Sequence, residues 1–304
     1  MNVGDAMLDL ALASGARSVA VVGMGKNVGK TVTLRALYEA ATARGLRAGV
    51  VSAGRDGEAI DAIDRNPKPR LHLLAGTWIA SAVRTTQPLE ESALPLGQRI
   101  ETACGPLVVG RVVHADDYEL VGPPTAQGLR VAVDALAPHC DIVLVDGSID
   151  RLATIEGPQA LVLACGAAAA PTIDDAVDSV RDVVERLQMP APQRGEPSLR
   201  IDGALQDDRV RALVMAKERR QIVVHSPAAI VLSPKVWAQA REHLRLRAAQ
   251  PVRVLAVTVA PEYARRSFEP AAFLDRVARE TGLPAYDVVA GTQADPSKAI
   301  AWTR

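Results

Sequence analysis

One run of nine residues has the composition of a loop that binds phosphate. It follows an apolar run at residues 18–22 and reads Gly23-Met24-Gly25-Lys26-Asn27-Val28-Gly29-Lys30-Thr31. In such a loop the backbone N–H groups point at phosphate oxygens, and the N-terminus of the next helix adds positive potential. We expect Lys30 to reach the β- and γ-phosphates and Thr31 to ligate Mg²⁺. The expected nucleotide contacts are Gly23, Gly25, Lys26, Asn27, Val28, Gly29, Lys30, Thr31 and Val32. An ordinary glycine-rich turn is the alternative, but the flanking strand and helix patterns favour phosphate binding.

Two further carboxylates follow runs that are typical of strands. Asp56 comes after a short strand pattern at residues 47–52, and Asp146 ends the apolar run at residues 141–145. The carboxyl ends of parallel strands meet at one edge of a sheet, where ligands bind. We therefore expect Asp146 to hold Mg²⁺ through water and Asp56 to contact the metal or orient an attacking water. A solvated polar loop is the alternative for Asp56.

Arg55 stands beside Asp56 and is expected to contact a phosphate or an acidic substrate. Asp150 and Arg151 follow Asp146 closely and are expected at the same crevice. Lys30, Asp56 and Asp146 are the expected catalytic residues, and the expected metal contacts are Thr31, Asp56 and Asp146.

The pattern of elements predicts an α/β fold, with a mainly parallel sheet and helices on both faces, as in P-loop NTPases. Residues 30–44 have apolar side chains at helical spacing, and a strand pattern lies on each side of them. Such a βαβ unit places its two strands parallel in one sheet. Gly105-Pro106 sits between two β-rich runs and predicts an inserted β-hairpin. A short helix is expected around Trp78.

We expect three parts along the chain. Residues 1–189 form a nucleotide-binding domain that carries a β-rich insertion at about 98–121. Residues 190–199 contain three prolines and a glycine, which is typical of a linker. Residues 200–304 form a C-terminal α/β half, which either extends the first sheet or makes a smaller domain.

The composition argues against several classes of protein. The chain has 35 basic residues (Lys and Arg) and 35 acidic residues (Asp and Glu). There is therefore no basic excess that would favour binding to nucleic acid or to an anionic membrane. The three cysteines are scattered, without a Cys-x-x-Cys pair or a cysteine–histidine metal spacing, and they read as free thiols. No leader pattern and no apolar run of membrane length is present in this sequence, so we expect a cytoplasmic protein.

The expected cofactors are ATP and Mg²⁺. An Asn-Lys-x-Asp run, which reads guanine in many P-loop proteins, does not occur in the sequence, so ATP is favoured over GTP. Three functions stay open: an ATP-dependent ligase for a small carboxylate or amine, an ATPase that remodels a partner enzyme, and a nucleotide-binding sensor or scaffold with little turnover.

The spacing of the loop resembles one branch of P-loop proteins. Five residues separate Gly23 from Gly29-Lys30-Thr31, which is similar to the loop of dethiobiotin synthetases and cobyrinate amidotransferases. Those synthetases carry a Lys-Pro pair after the second strand and a Glu-Gly-Ala-Gly-Gly run after a later one. This chain has Arg55-Asp56 and the run Asp146-Gly147-Ser148-Ile149-Asp150 instead. Many proteins of this branch form homodimers across the nucleotide crevice, and the resemblance allows that arrangement here.

Longer motifs resemble the small P-loop subunit of lysine 5,6-aminomutase reactivase. They are Lys26–Thr33, Gly54-Arg55-Asp56-Gly57-Glu58 with Asp61, Pro67-Lys68-Pro69, Gly110-Arg111-Val112, Val145–Arg151 and Asp202-Gly203-Ala204-Leu205. The resemblance implies a MutS-related ATPase subunit as partner and an adenosylcobalamin-dependent aminomutase as client. It also implies that ATP is used to expel damaged cobalamin from the client.

Overall fold

The computed structural model describes residues 2–53, 71–82, 89–92, 100–102, 104–148 and 159–296. Its α-helices are α1 (Val3–Ala13), α2 (Lys30–Ala43), α3 (Ala126–Leu136), α4 (Ile173–Leu187), α5 (Asp207–Met215), α6 (Pro234–His243) and α7 (Pro270–Thr281), and a short 3-10 turn covers Pro227–Ala229. Its strands are β1 (Ser18–Gly23), β2 (Ala48–Ser52), β3 (Leu71–Leu73), β4 (Trp78–Ala82), β5 (Leu89–Ser92), β6 (Glu101–Thr102), β7 (Gly105–Val112), β8 (Asp116–Tyr118), β9 (Ile142–Ser148), β10 (Ala160–Gly166), β11 (Ser198–Arg200), β12 (Leu205–Gln206), β13 (Gln221–Val224), β14 (Ile230–Val231), β15 (Arg245–Ala248), β16 (Val254–Ala260), β17 (Glu262–Tyr263), β18 (Arg266–Ser267), β19 (Ala285–Asp287) and β20 (Thr292–Ala294).

The main sheet has the order β20-β19-β16-β10-β1-β9-β2-β4-β7-β5, and β6 pairs with β7. The central pairs β10/β1, β1/β9, β9/β2 and β2/β4 are all parallel. Strands β7, β5 and β20 add antiparallel pairs at the two ends of the sheet. Strand β9 lies between β1 and β2, which are parallel as the βαβ pattern predicts. The predicted α/β fold with a mainly parallel sheet is confirmed.

Both faces of the central strands are buried. On one face, Val19 and Val21 of β1 join a core cluster with residues of α1 and α2, including Leu8, Leu37 and Tyr38. The alternate residues of β1 are also fully buried, which requires cover on the second face as well. Strands buried on both faces read as continuous apolar runs, and residues 141–145 and 160–165 have that character. Each buried valine or leucine contributes about 1.5–3 kcal/mol to folding.

The predicted helix around Trp78 is wrong, because residues 78–82 form β4. Gly76 has φ +92°, and its N–H bonds to the carbonyl of Val112 in a tight turn before the strand. Ile79, Ala80 and Ala82 are then buried between β2 and β7. A run of five residues is too short for a stable helix, and its backbone hydrogen bonds go to neighbouring strands instead.

The predicted hairpin at Gly105 is present. Thr102 pairs with Gly105 and Glu101 with Pro106 in an antiparallel register, and Gly105 has φ +119°. Strand β7 continues from this turn and pairs with both β4 and β5. The hairpin is therefore joined to the edge of the main sheet.

The chain divides into two compact units. The first contains residues 1–180 and 255–304, so β16, β19 and β20 return to the main sheet. The second contains Arg181–Val254, with a parallel sheet of order β11-β13-β15 and its own core. That core includes Val210, Leu213, Ile222, Val236 and Trp237. The segment expected as a linker, residues 190–199, lies within this second unit, and the expected limits at 189 and 200 stay a prediction.

Candidate functional site

The glycine-rich loop joins β1 to α2 at the carboxyl edge of the parallel strands. Gly23 ends β1, and Gly29 stands at the N-cap of α2 with φ +84°, a backbone conformation that costs other residues energy. Asn27 also has a positive φ of 56°. The N–H of Met24 bonds to the Ala164 carbonyl at 2.9 Å, which ties the start of the loop to β10. Strand, loop and helix therefore follow one another as the sequence predicts.

Lys30 and Asp146 form an ion pair within this site. Lys30 Nζ lies 3.1 Å from Asp146 Oδ1, and the two side chains are 27% and 29% exposed. Asp146 Oδ1 is itself buried, and among the residues that the structure describes it accepts no well-directed hydrogen bond, so Lys30 is the cation beside it there. A buried carboxylate oxygen without a hydrogen-bond donor is costly, and a cation beside it reduces that cost.

The sheet register explains why Asp146 lies at the loop. Asp146 of β9 pairs with Val21 of β1 on one side and with Ser52 of β2 on the other. The N–H of Ala53 bonds to the Asp146 carbonyl at 2.8 Å. Asp146 lies in the strand beside β1 but not at its tip, because β9 continues for two more residues to Ser148. Its role at the site stays a prediction.

The other predicted loop residues differ in exposure. Val28 is 1% exposed, so its side chain packs inside the loop and only its backbone can face a ligand. Lys26 and Asn27 are exposed, and Thr31 is half-buried in the first turn of α2. Val32 is 39% exposed. Their assignment as nucleotide contacts stays a prediction.

Two segments that the sequence reasoning missed also border the loop. In the first, Ala169 follows β10, and a Cβ placed on Gly25 would lie 3.1 Å from its Cβ. In the second, Tyr263 follows β16, and its hydroxyl oxygen accepts a hydrogen bond from Asn27 Nδ2 at 3.2 Å. Both segments follow strands whose carboxyl ends lie at the same edge as the loop, which is the signal that could have located them.

Several expected site residues lie outside the described part of the chain. These are Arg55, Asp56, Asp150 and Arg151. Among the residues that the structure describes, no group of three or more His, Cys, Asp and Glu side chains could hold a metal. Mg²⁺ at phosphate sites is commonly bound by one or two protein oxygens together with substrate phosphates and water. The Thr31 hydroxyl and the Asp146 carboxylate have the donor chemistry for such an ion.

Comparison with known proteins bears on the loop directly. A family model described as "Domain of unknown function (DUF1611_C) P-loop domain" matches residues 9–64, which contain β1, the glycine-rich loop, α2 and β2. The segment that contains the loop therefore resembles a P-loop domain. The match supports binding of nucleotide and Mg²⁺ in general, without distinguishing ATP from GTP.

The remaining comparisons are weaker. No curated protein matches the chain significantly. Among solved structures, the chain is similar to the signal recognition particle receptor FtsY from Elizabethkingia anophelis, at 12% sequence identity and a TM-score of 0.29, over 90% of this chain and 71% of that one. Within the described ranges, none of the helices has the length and apolar character needed to cross a membrane.

Proposed function

We propose that this chain binds ATP with Mg²⁺ at the loop between Gly23 and Thr31 and hydrolyses it. The observation that carries the proposal is the ion pair between Lys30 and Asp146, whose Nζ and Oδ1 atoms lie 3.1 Å apart. Lys30 is the first residue of α2, and Asp146 lies near the carboxyl end of β9. A lysine and a metal-binding carboxylate on adjacent elements are the two charges that P-loop sites use to hold a magnesium–triphosphate. No Asn-Lys-x-Asp run is present, which favours adenine over guanine.

Ligand binding would exchange the partners of these two charges. Lys30 would then pair with β- and γ-phosphate oxygens, and the Asp146 carboxylate would hold the magnesium ion. Each charge keeps a partner of opposite sign throughout, so neither is left alone in a partly buried site. The Thr31 hydroxyl would help to hold the metal, and the loop N–H groups and the α2 N-terminus would neutralise phosphate charge.

Two residues beyond the described ranges complete this proposal. Asp56 follows β2, the neighbour of β9 in the sheet, and orients the attacking water or contacts the metal through water. Arg55 offsets charge on a phosphate or an acidic substrate. Replacing Asp56 with Asn separates the two roles of the carboxylate. A metal role lowers Mg²⁺-dependent affinity for ATP, whereas a water-positioning role lowers turnover and leaves affinity unchanged.

We propose that the energy of ATP is used to reactivate an adenosylcobalamin-dependent aminomutase in the cytoplasm, together with a MutS-related ATPase subunit. The support is the motif resemblance, above all the run Gly54–Glu58 and the run Asp146–Arg151. ATP binding would favour a conformation that loosens the client's cofactor site, and hydrolysis would reset it. Homodimer formation stays a separate prediction.

The reactivation assay uses the full chain, the partner ATPase and aminomutase whose cofactor has been inactivated. Addition of ATP and fresh adenosylcobalamin should restore mutase activity, and the Lys30→Ala variant should not. No recovery with the wild-type chain excludes the reactivase role.

The five-residue spacing of the loop favours a second candidate, an ATP-dependent ligase. ATP turnover that requires a small carboxylate or amine and no protein partner would support that function. Nucleotide binding without turnover under either condition would instead identify a sensor or scaffold.

A further inference from the structure

A hairpin far along the chain lies against the phosphate-binding loop. It consists of β17 and β18, which pair antiparallel around Ala264, a residue with φ +52°. The Tyr263 hydroxyl accepts a hydrogen bond from Asn27, although 236 residues separate the two in sequence. Just before the hairpin, the Cβ of Ala260 would lie 3.4 Å from a Cβ placed on Gly29. The hairpin and the end of β16 thus reach two points of the loop.

Arg266, in the second strand of this hairpin, binds a different segment. Its Nη1 atom donates hydrogen bonds to the carbonyls of Ala167 and Ala170, both at 2.8 Å. Hydrogen bonds from a charged donor are stronger than those between neutral groups. Ala167 also donates its N–H to the Ala260 carbonyl at 2.9 Å. The turn after β10 is therefore held to β16 and to the hairpin.

This turn is in contact with the phosphate-binding loop. Ala169 sits between the two carbonyls that Arg266 binds, and its Cβ packs over Gly25 so closely that a Cβ there would be 3.1 Å away. Ala169 N–H bonds to the Gly166 carbonyl at 3.0 Å, which fixes the turn internally. Gly25 has no side chain that could support its own position, so the neighbouring turn limits where its backbone can lie.

We propose that Arg266 is a positioning residue of the nucleotide site. It fixes the turn at residues 167–170 against Gly25, and so holds the loop N–H groups in the geometry that phosphate oxygens require. Displacements of about 1 Å from productive geometry are enough to weaken such sites strongly. The inference rests on the proposed nucleotide site and adds to it a residue from a segment far along the chain.

The test compares Arg266→Ala and Arg266→Lys with Arg279→Ala. Arg279 is an exposed arginine of α7 whose guanidinium contacts its neighbour Glu280. Mg²⁺-ATP affinity is measured by calorimetry, without and with millimolar guanidinium, and thermal unfolding is followed without nucleotide.

Arg266→Ala should bind Mg²⁺-ATP about tenfold more weakly than the wild type, equivalent to about 1.4 kcal/mol. Guanidinium and Arg266→Lys should each restore part of the affinity, because both supply donors to the two carbonyls. Arg279→Ala should bind as the wild type does.

The outcomes separate this inference from the proposed function. If the wild type binds Mg²⁺-ATP and Arg266→Ala binds equally well, the positioning role is wrong and the nucleotide site stands. If Arg266→Ala loses affinity and thermal stability together, and guanidinium restores neither, the effect is general unfolding and the positioning role is also wrong. If the wild type binds no nucleotide, the proposed function itself fails.

Discussion

The hydroxyl oxygens of Thr33 and Thr258 lie 2.8 Å apart in the core, although 225 residues separate them in the sequence. Thr33 stands in the first turn of α2 and also donates to the Gly29 carbonyl at 3.1 Å. Thr258 belongs to β16. Both residues are buried, with exposures of 0% and 1%. This pair links the last part of the chain to the helix that follows the phosphate-binding loop.

Replacing both threonines with valine should destabilise the protein by less than the sum of the two single replacements. Each single change removes the hydrogen bond between the two hydroxyls, which costs about 1 kcal/mol, although the Gly29 and Leu163 carbonyls remain as acceptors for Thr33 and Thr258. The double change loses that same hydrogen bond only once and leaves an apolar pair. Urea unfolding of the nucleotide-free protein measures all four free energies of the cycle. We expect the double variant to lose less than the sum of the single losses. Agreement of the double variant with that sum to within about 0.5 kcal/mol would contradict the predicted coupling.

Gly29→Ala should impair both stability and nucleotide binding. Alanine at φ +84° is strained by about 1–2 kcal/mol, and relief of that strain would shift the start of α2 and the loop N–H groups. Gly282→Ala is the matched control, since Gly282 has φ +67° after α7 and open space around it. We expect similar losses of unfolding free energy in the two variants, with weaker Mg²⁺-ATP binding only for Gly29→Ala. Equal affinities in both variants would show that the loop tolerates this strain.

Asp146→Asn should weaken nucleotide binding mainly when Mg²⁺ is present. The asparagine keeps the shape of the side chain but removes the charge that attracts a metal. A carboxylate that acts through a metal-bound water is expected to contribute about 10–100-fold to metal affinity. Titration of ATP with Mg²⁺ and with EDTA gives the two affinities. An equal loss under both conditions would mean that Asp146 acts by positioning Lys30 and has no role at the metal.

Much of this site could be predicted because its signals are local in sequence. The loop from Gly23 to Thr31 needs only its own residue types and the adjoining strand and helix. The position of Asp146 was predictable because this acidic residue directly follows an apolar run. The strand at Trp78 was missed for the converse reason, since a run of only five residues carries too little periodicity to separate strand from helix.

The contacts of Thr258, Tyr263 and Arg266 could not be predicted in the same way. They depend on β16 lying next to β10, which in turn lies next to β1. That order is set by packing and by pairing between strands distant in sequence, and no local pattern encodes it. The sequence left open whether residues 200–304 extend the first sheet or form a smaller domain, and neither alternative named any of these contacts.

Acid should remove a stabilising contribution from Asp141. The hydrogen bonds from the Arg47 side chain, at 2.7 and 3.2 Å, and from its backbone N–H lower the pKa of Asp141 from 3.8 to about 2. A lowered pKa means that the contribution is present above pH 3.8 and is lost as the pH falls toward 2. Because the side chain is 37% exposed, we expect about 1 kcal/mol at neutral pH.

The Asp141→Asn variant tests this pH dependence. Its deficit in unfolding free energy should be constant from neutral pH to about pH 4 and should shrink below that, since protonation gives the wild-type carboxyl the same neutral charge. Asp208→Asn, at a 98% exposed position, serves as the control. A deficit that stays the same at every pH would show that the ionised form of Asp141 is not what stabilises the fold.

The most direct test of the nucleotide site is calorimetric titration of Mg²⁺-ATP into the wild-type chain and into Lys30→Ala. Lys235→Ala, an exposed lysine of α6, controls for loss of a positive charge. The wild type and Lys235→Ala should bind one nucleotide with equal affinity. Lys30→Ala should bind about 100-fold more weakly, since hydrogen bonds from one charged group to phosphate contribute about 2–3 kcal/mol. Undiminished affinity in Lys30→Ala would contradict the assignment of the loop as the phosphate site.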